Sequence, residues 1–410
     1  MRASKSFSVA GLRRKLNHQN RNKNNSIFSY CRDRTLFCPY KRQMNIMGKT
    51  GKYIYGIINS EKRGRVTSPS DESVASYGIS ALVGNGLDRS LQFIPYQDIA
   101  AIVNDAESIN YTHMFKDALA RALIEHQKVI ERIMNIGYSI IPMRLGTFAM
   151  DEVEVKDILS KGYCLIKEII PKISDKIEID IVATWSDFTA TIKEAGEEKE
   201  IREFKERLLK NPKGITVDHQ MRAGVMLKNA LDQMRERYAS KIQNALVETQ
   251  CIASLRQHEC MDDKMVINIA LLVNNAQQKE LYAKVEDLNT EFAEKLNFRC
   301  VGPLPPYSFF TLEIKKMQFN DVAWARERLG ILNDAISKDE IKKIFQRQVF
   351  VSHPDKNPDR PEAEKEFDEI KRSYNILLDY AQSCAQVGKE SLYFNEDEFK
   401  KNAVLVKVRD

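Results

Sequence analysis

The stretch EHQKVIERIMNIGYSIIPMRLGTF, residues 125–148, decides the fold class because a helical pattern gives way to a strand pattern inside it. Residues 111–136 place apolar side chains at helical spacing. Gly137 is suited to end that helix, and the following YSIIPMRLGTF is typical of a strand. The stretch therefore predicts a helix that packs on a sheet, the basic layer of an α+β fold. The predicted apolar stripe consists of Ala118, Leu119, Ala122, Leu123, Val129, Ile130 and Ile133.

Strands and helices alternate on both sides of this stretch. KYIYGII at residues 52–58 is rich in aromatic and branched residues, and KIEIDIVATW at 176–185 alternates polar and apolar residues as a half-buried strand does. We predict a first α+β domain at 51–190, a charged helical connector at 191–262 and a second α+β domain at 263–318.

The end of the chain has a different, all-helical pattern. Ser337 and Glu340 form a predicted capping box at the start of one amphipathic helix, and a second amphipathic helix follows HPDKNP at residues 353–358. Apolar faces at these spacings pack as an antiparallel hairpin. We predict an all-α hairpin at 325–385 and a C-terminal tail at 386–410.

Charge is unevenly distributed along the chain. Residues 1–52 carry 13 Lys or Arg and a single acid, whereas the remainder has a net charge of −6. Residues 1–50 are interpreted as a disordered basic tail or a mis-called start at Met44 or Met47. An anionic-surface or nucleic-acid tail and a targeting segment are the alternatives. We expect no specific nucleic-acid partner.

The residue pattern argues against an enzyme and against a membrane protein. Seven scattered cysteines without a CxxC pair fit a reducing cytoplasm. No phosphate loop, dinucleotide fingerprint or nucleophile elbow occurs, and no apolar run is long enough to span a bilayer. Glu125 and His126 are neighbours in sequence and point about 100° apart on a helix. We therefore expect no catalytic residue, no cofactor and no metal.

The helical hairpin resembles the J-domain of the DnaJ co-chaperone family. The matching elements are Leu329-Gly330, Ile341-Lys342-Lys343, Phe345, His353-Pro354-Asp355-Lys356-Asn357-Pro358, Ala363, Phe367, Ile370, Tyr374 and Leu377-Leu378-Asp379. The resemblance implies that His353, Pro354 and Asp355 contact a DnaK-type chaperone ATPase and stimulate it. It also implies that basic residues of the preceding helix dock on an acidic face of that ATPase. Those residues are Lys342, Lys343 and Arg347.

The hairpin departs from the family beside its central motif. Val351 and Ser352 stand where the family has a basic and an aromatic residue, and Gln346 and Gln348 replace commoner basic and apolar types. The basic docking face is therefore thinner than usual. The zinc-binding CxxCxGxG repeats of full DnaJ proteins are absent, which indicates that the J-domain is attached to another activity.

The larger part of the chain, about residues 52–316, resembles the gas vesicle protein family GvpL/GvpF. The matches are Tyr53-Ile54-Tyr55-Gly56-Ile57, His126, Val129, Pro142-Met143-Arg144-Leu145-Gly146-Thr147 and Gly302 to Phe309. The resemblance implies two ferredoxin-like α+β domains joined by helices, and partners among gas vesicle shell and accessory proteins. The residues expected to bind a partner or to hold the structure are His126, Pro142, Arg144, Gly146, Pro305, Pro306 and Tyr307.

Taken together, the two resemblances imply a gas vesicle assembly protein that binds vesicle shell or accessory proteins and recruits a DnaK-type chaperone. We expect it in the cytoplasm and at the gas vesicle. The alternative is a general DnaJ-like co-chaperone whose Gvp-like region binds other clients.

Overall fold

A computed structural model of the chain describes residues 50–60, 91–210, 215–353 and 362–409. The basic segment before residue 50, the predicted strand ISALVG at 79–84, and Pro354 and Asp355 lie outside the described residues. No helix in the described ranges is both long and apolar enough to cross a membrane.

The first part of the chain forms an antiparallel sheet between two helices. Its strands lie in the order β2-β3-β1-β4, and β5 pairs with β1. The elements are β1 (Thr50–Asn59), β2 (Leu91–Tyr96), β3 (Ile99–Glu107), α1 (Lys116–Asn135), β4 (Ile140–Pro142), β5 (Phe148–Ala149) and α2 (Glu152–Ile173).

Successive side chains of β1 explain why both faces of this sheet are covered. Ile57 is buried on the α2 side, with Ile158 and Ile166, and Ile58 is buried on the α1 side, with Ile130. Because neighbouring strand residues point to opposite faces, a strand with two consecutive isoleucines requires a helix on each side. The helix predicted from residues 111–136 is therefore confirmed as α1. Ile130 and Ile133 of its predicted apolar stripe are buried against the sheet, whereas Leu123 is 47% exposed and lies outside the packed face.

The middle of the chain forms a second antiparallel sheet, in the order β7-β8-β6-β9. The elements are β6 (Lys176–Trp185), α3 (Phe188–Gly196), α4 (Lys199–Leu209), α5 (Val217–Val247), β7 (Ile252–Gln257), β8 (Met265–Asn274), α6 (Gln278–Glu291) and β9 (Leu296–Leu304). One face of this sheet packs on α5 and α6 through residues such as Ile181, Met234 and Leu281.

Two predicted boundaries are wrong in this region. The strand 176–185, assigned to the first domain, pairs with β8 and β9 in the second sheet. Its place beside β1 is already filled, because β3 lies on one edge of β1 and β4 and β5 on the other. Residues 252–257, assigned to the helical connector, form β7 and supply an edge partner for β8.

A short turn holds the two sheets together. It is the helix α7 (Tyr307–Phe310), which follows β9 and precedes β10 (Leu312–Lys316). Tyr307 packs with the apolar cluster between the first sheet and α1. Phe309 packs on Ala270 and Leu272 of the second sheet, and Phe310 also contacts the apolar cluster between the first sheet and α2. Three side chains of one turn therefore reach three different apolar clusters.

The last part of the chain is a helical unit with two short β-pairings. Its elements are α8 (Phe319–Arg328), β11 (Ala335–Ser337), α9 (Lys338–Ser352), α10 (Ala363–Gln386), β12 (Ser391–Tyr393), α11 (Glu396–Asn402) and β13 (Val404–Val408). The predicted hairpin is confirmed: Phe345 of α9 stacks on Tyr374 of α10, with ring centroids 4.0 Å apart. The capping box is confirmed as well, because Glu340 accepts from the Ser337 N–H at 2.9 Å.

The predicted tail at 386–410 is wrong as a separate segment. Leu392, Phe394 and Phe399 are buried in the core of the helical unit, and Val406 is buried against α2. Strand β13 pairs antiparallel with β10, from Leu312 opposite Val408 to Lys316 opposite Val404. The chain therefore returns to the first α+β layer after the hairpin.

Glu178 is the buried polar link between the second sheet and the turn. Its side chain lies on the face of β6 opposite the apolar core and accepts from both the N–H and the hydroxyl of Ser308, each at 2.8 Å. His258 Nε2 lies 3.1 Å from the same hydroxyl. Burial, with a smaller contribution from the nearby Asp180 carboxyl, raises the pKa of Glu178 from 4.5 to about 7.

This raised pKa predicts a pH-dependent contribution to stability. The folded state keeps a proton that the unfolded chain loses above pH 4.5, so the contribution is full below that pH and is lost as pH rises through about 7. We expect the free energy of unfolding of the chain, relative to that of a Glu178→Gln variant, to fall by on the order of 1–3 kcal/mol as pH rises from 5 to 8. Thermal unfolding at a series of pH values measures it. The exposed Glu291→Gln variant is the control, and an equal slope in both variants contradicts the assignment.

Candidate functional site

The first predicted motif forms a buried hydrogen-bonded chain around His126. His126 lies on α1 and is 5% exposed. Its Nε2 lies 3.0 Å from the carbonyl oxygen of Met143 and its Nδ1 lies 2.8 Å from the hydroxyl of Tyr53. Since a carbonyl can only accept, the Nε2 must carry the proton, and the neutral ring then accepts from Tyr53 at Nδ1.

The electrostatics agree with a neutral ring. Burial lowers the pKa of His126 to about 4 and raises the pKa of Tyr53. Tyr53 also accepts from the N–H of Gly146 at 3.3 Å, so one hydroxyl ties α1 to the loop that follows β4. His126 is therefore placed to hold that loop, and its ring is too buried to meet a partner directly.

The loop itself needs glycine at residue 146. Gly146 has φ +87°, and a Cβ there would come within 2.8 Å of the Tyr111 ring. Pro142 is buried in β4, opposite Gly56 of β1. Arg144, which lies between Pro142 and Gly146, points outward, with 57% of its side chain exposed. Of these motif residues, Arg144 is therefore the one available to a partner.

Arg144 begins a series of ion pairs that reaches the helical unit. Its guanidinium lies 3.2 Å from Glu313 of β10, and Lys407 of β13 lies 3.4 Å from the same carboxylate. Lys407 and Lys315 both pair with Asp379 of α10. Charges from the Pro-Met-Arg loop and from the C-terminal helical unit therefore lie in one continuous network.

The second motif, Gly302 to Phe309, meets the first at α1. Pro305 and Pro306 are buried and form the corner before α7. Tyr307 packs with Ile130, Ile133 and Ile140, and burial raises its pKa. The two motifs, far apart in sequence, therefore meet at one helix, because His126 lies on α1 and Tyr307 packs against it. The contribution of the motif residues to partner binding stays a prediction.

The third predicted set lies on α9. Lys342, Lys343 and Arg347 are exposed, and Lys343 and Arg347 share one face because they are four residues apart. The same face carries two apolar residues, Phe350 and Val351, which are 68% and 67% exposed. The ring of His353, the last described residue before the gap, lies 5.5 Å from that of Phe367 on α10.

Sequence reasoning missed the polar groups behind these motifs. Glu178, Ser308 and His258 come together from three separate segments of the chain, as do Glu313, Lys407 and Asp379. The one available signal was the pair of acidic residues Glu178 and Asp180 within residues 177–183, which are otherwise apolar. In the described ranges, no group of three or more His, Cys, Asp or Glu side chains is arranged to hold a metal ion.

The buried hydroxyl of Tyr53 gives a direct stability prediction. Tyr53→Phe leaves His126 Nδ1 and the Gly146 N–H without their partner, and a buried polar group without a partner costs about 1–3 kcal/mol. We expect a loss of that size in the free energy of unfolding, measured with urea. Tyr96→Phe, which removes a more exposed hydroxyl bonded to Ser160, is the matched control with a smaller expected loss. Equal losses in the two variants would refute a special role for this chain.

Comparison with known proteins agrees with this organisation. The family described as gas vesicle synthesis protein GvpL/GvpF matches residues 51–311. Gas vesicle protein F of Nostoc sp. (strain PCC 7120 / SAG 25.82 / UTEX 2576) is 22% identical over 63% of this chain and 98% of its own length. Gas vesicle protein F of Microcystis aeruginosa is 24% identical over 54% of this chain and 91% of its own length.

A solved structure supports the fold, and a second family accounts for the helical unit. The crystal structure of GvpF from Anabaena sp. PCC7120 has a TM-score of 0.51 at 19% identity, and covers 63% of this chain and 98% of its own. The DnaJ domain matches residues 327–383. Chaperone protein DnaJ of Nitratidesulfovibrio vulgaris (strain DSM 19637 / Miyazaki F) is 47% identical over 53 residues, 14% of its length.

Both family resemblances predicted from the sequence are confirmed. The predicted α+β fold, with antiparallel sheets and a helical C-terminal region, is confirmed as well. The chain belongs to the gas vesicle synthesis protein GvpL/GvpF family and carries a DnaJ domain in its C-terminal region.

Proposed function

We propose that this chain is an assembly adaptor, which binds a gas vesicle shell or accessory protein and brings a DnaK-type chaperone ATPase to it. The observation that carries the proposal is the union of the two family matches in one chain, because neither region supplies chemistry of its own. Shell and accessory proteins that expose apolar surface before assembly are prone to aggregate, and a chaperone delivered to them limits that. The setting that fits is the cytoplasm, at the growing vesicle.

The chaperone-docking role is assigned to the exposed face of α9. Lys343 and Arg347 supply positive charge for an acidic partner surface, which increases the rate of encounter and its salt dependence. Phe350 and Val351 add apolar area beside these charges. His353, together with Pro354 and Asp355, is assigned the stimulation of ATP hydrolysis. The family resemblance supplies these roles, and the exposure of the α9 face supports them.

The client-binding role is assigned to the surface around Arg144. Arg144 is the exposed residue of the Pro-Met-Arg-Leu-Gly-Thr motif, and His126, Tyr53 and Gly146 hold its loop in place. A rigid loop with one exposed guanidinium can recognise a carboxylate by paired hydrogen bonds. The alternative, a general co-chaperone with other clients, assigns no gas vesicle protein to this surface.

The chaperone role predicts the result of an ATPase assay. We expect the full chain to stimulate the steady-state ATPase of the host DnaK, and His353→Gln to remove most of the stimulation while leaving the fold unchanged. His113→Gln is the matched control, because His113 is exposed and lies outside α9 and α10. Stimulation that is equal in the wild type and in His353→Gln is incompatible with this role.

The client role predicts a separate binding result. We expect the immobilised full chain to retain purified gas vesicle shell or accessory protein, and Arg144→Ala to reduce retention at least severalfold because the exposed guanidinium is lost. Arg121→Ala, at an exposed position of α1, is the control. Retention of no gas vesicle protein by the wild type would favour the general co-chaperone.

A further inference from the structure

The first half of α5 carries an apolar stripe on the face that points away from the other residues that the structure describes. Val217, Met221 and Val225 recur every four residues and are 70%, 62% and 58% exposed. The opposite face of the same helix is the packed one, since Ala230 and Met234 are buried in the second core. At 100° per residue, the stripe and the packed face lie on opposite sides of the helix.

We propose that this stripe, residues Val217, Met221 and Val225, is a self-association surface on which α5 packs antiparallel against α5 of a second copy of the chain. A two-fold axis near Met221 places Met221 opposite its own copy and Val217 opposite Val225. Gly224, beside the stripe, has open space around it and lets the two backbones approach closely. The same patch serves both copies, as closed two-fold symmetry requires.

Charge beside the stripe is complementary under this symmetry. Asp218 and Arg222 lie along the same edge of the stripe, by the 100° rotation per residue. In an antiparallel pair related by a two-fold axis, the same edge of the stripe in each copy lies on the same side of the interface. Asp218 of one copy therefore lies alongside Arg222 of the other, and this ion pair occurs twice. Arg222 is held at this edge by the Phe204 ring of α4, with its guanidinium carbon 5.3 Å from the ring centroid. A different partner whose charges are all of one sign would be repelled by either Asp218 or Arg222 at this edge.

The size of the stripe predicts a weak and reversible dimer. Three partly exposed side chains bury much less than the roughly 800 Å² per partner of a stable interface. Such a dimer forms in appreciable amounts where the local concentration of the chain is high. A dimer presents two J-domains and two Arg144 surfaces, so binding to a repetitive assembly would gain by avidity. The self-association does not depend on the proposed function, although this consequence does.

Sedimentation velocity over a concentration series tests the pairing with charge-exchanged variants of the full chain. We expect concentration-dependent dimers in the wild type, about tenfold weaker association in Asp218→Arg, and recovery in the double variant Asp218→Arg with Arg222→Asp. Recovery of association in the double variant shows that the charge pair between copies is responsible. A local effect of Arg at position 218 on the helix would persist, because the double variant keeps that Arg. A monomeric wild type at every concentration overturns the proposal and favours a different protein on the stripe, and so does a double variant that is as weak as Asp218→Arg.

A cross-linking measurement checks the register independently. Met221→Cys is prepared in a chain whose exposed Cys164 and Cys260, and also Cys31 and Cys38, are replaced by Ser. Because residue 221 lies near the axis, we expect a disulfide-linked dimer under mild oxidation at concentrations where the wild type associates. Gln233→Cys, exposed on the same helix but away from the stripe, is the matched control. Equal cross-linking at both positions overturns the antiparallel register.

Discussion

The antiparallel pairing of β10 with β13 is the interaction on which the arrangement of the chain depends. It follows the whole J-domain region and joins the last strand of the chain to the strand that leaves the Gvp region. β10 in turn accepts from the Arg144 N–H at Leu312, 2.8 Å away, so the pairing continues into the Pro-Met-Arg loop. Without β13, the helical unit would lose its backbone pairing to the α+β layers, and the network from Arg144 to Asp379 would lose Lys407.

Buried polar groups fix the geometry that this pairing requires. His126 and Tyr53 hold the loop that reaches β10, and Glu178 holds the turn that precedes it. Protonation of these two side chains has opposite effects on the stability of the fold: it destabilises the fold at His126 and stabilises it at Glu178. Neutral His126 stabilises the fold above pH 6.5 and loses that contribution as pH falls through about 4, whereas protonated Glu178 loses its contribution as pH rises through about 7. The two effects oppose each other between pH 4.5 and 6.5.

Much of the fold could be predicted from sequence wherever the signal is local. The periodicity of 111–136, the capping box at Ser337 and the apolar faces of α9 and α10 each specify an element from its own residues. Strand partners could not be predicted in this way. Alternation in 176–185 indicates which residues face a core, but the same alternation fits either sheet. Likewise, β13 looks like a short apolar tail until β10 is known to lie beside it.

The candidate site shows the same difference between features that are local in sequence and features that depend on distant contacts. Its motif residues could be found from sequence, but their environments depend on contacts between distant residues. Arg144 and Glu313 are 169 positions apart, and Glu178 and Ser308 are 130 apart. Sequence therefore could not separate Arg144, which is exposed, from His126, which is buried.

The central claim is that one chain couples a bound gas vesicle protein to the ATPase cycle of a chaperone. The most direct measurement is the steady-state ATPase rate of the host DnaK with the chain alone, with purified shell protein alone and with both together. The account predicts a rate with both that exceeds the sum of the two separate stimulations, because the client and the chaperone are held on one chain. A rate equal to that sum would contradict it.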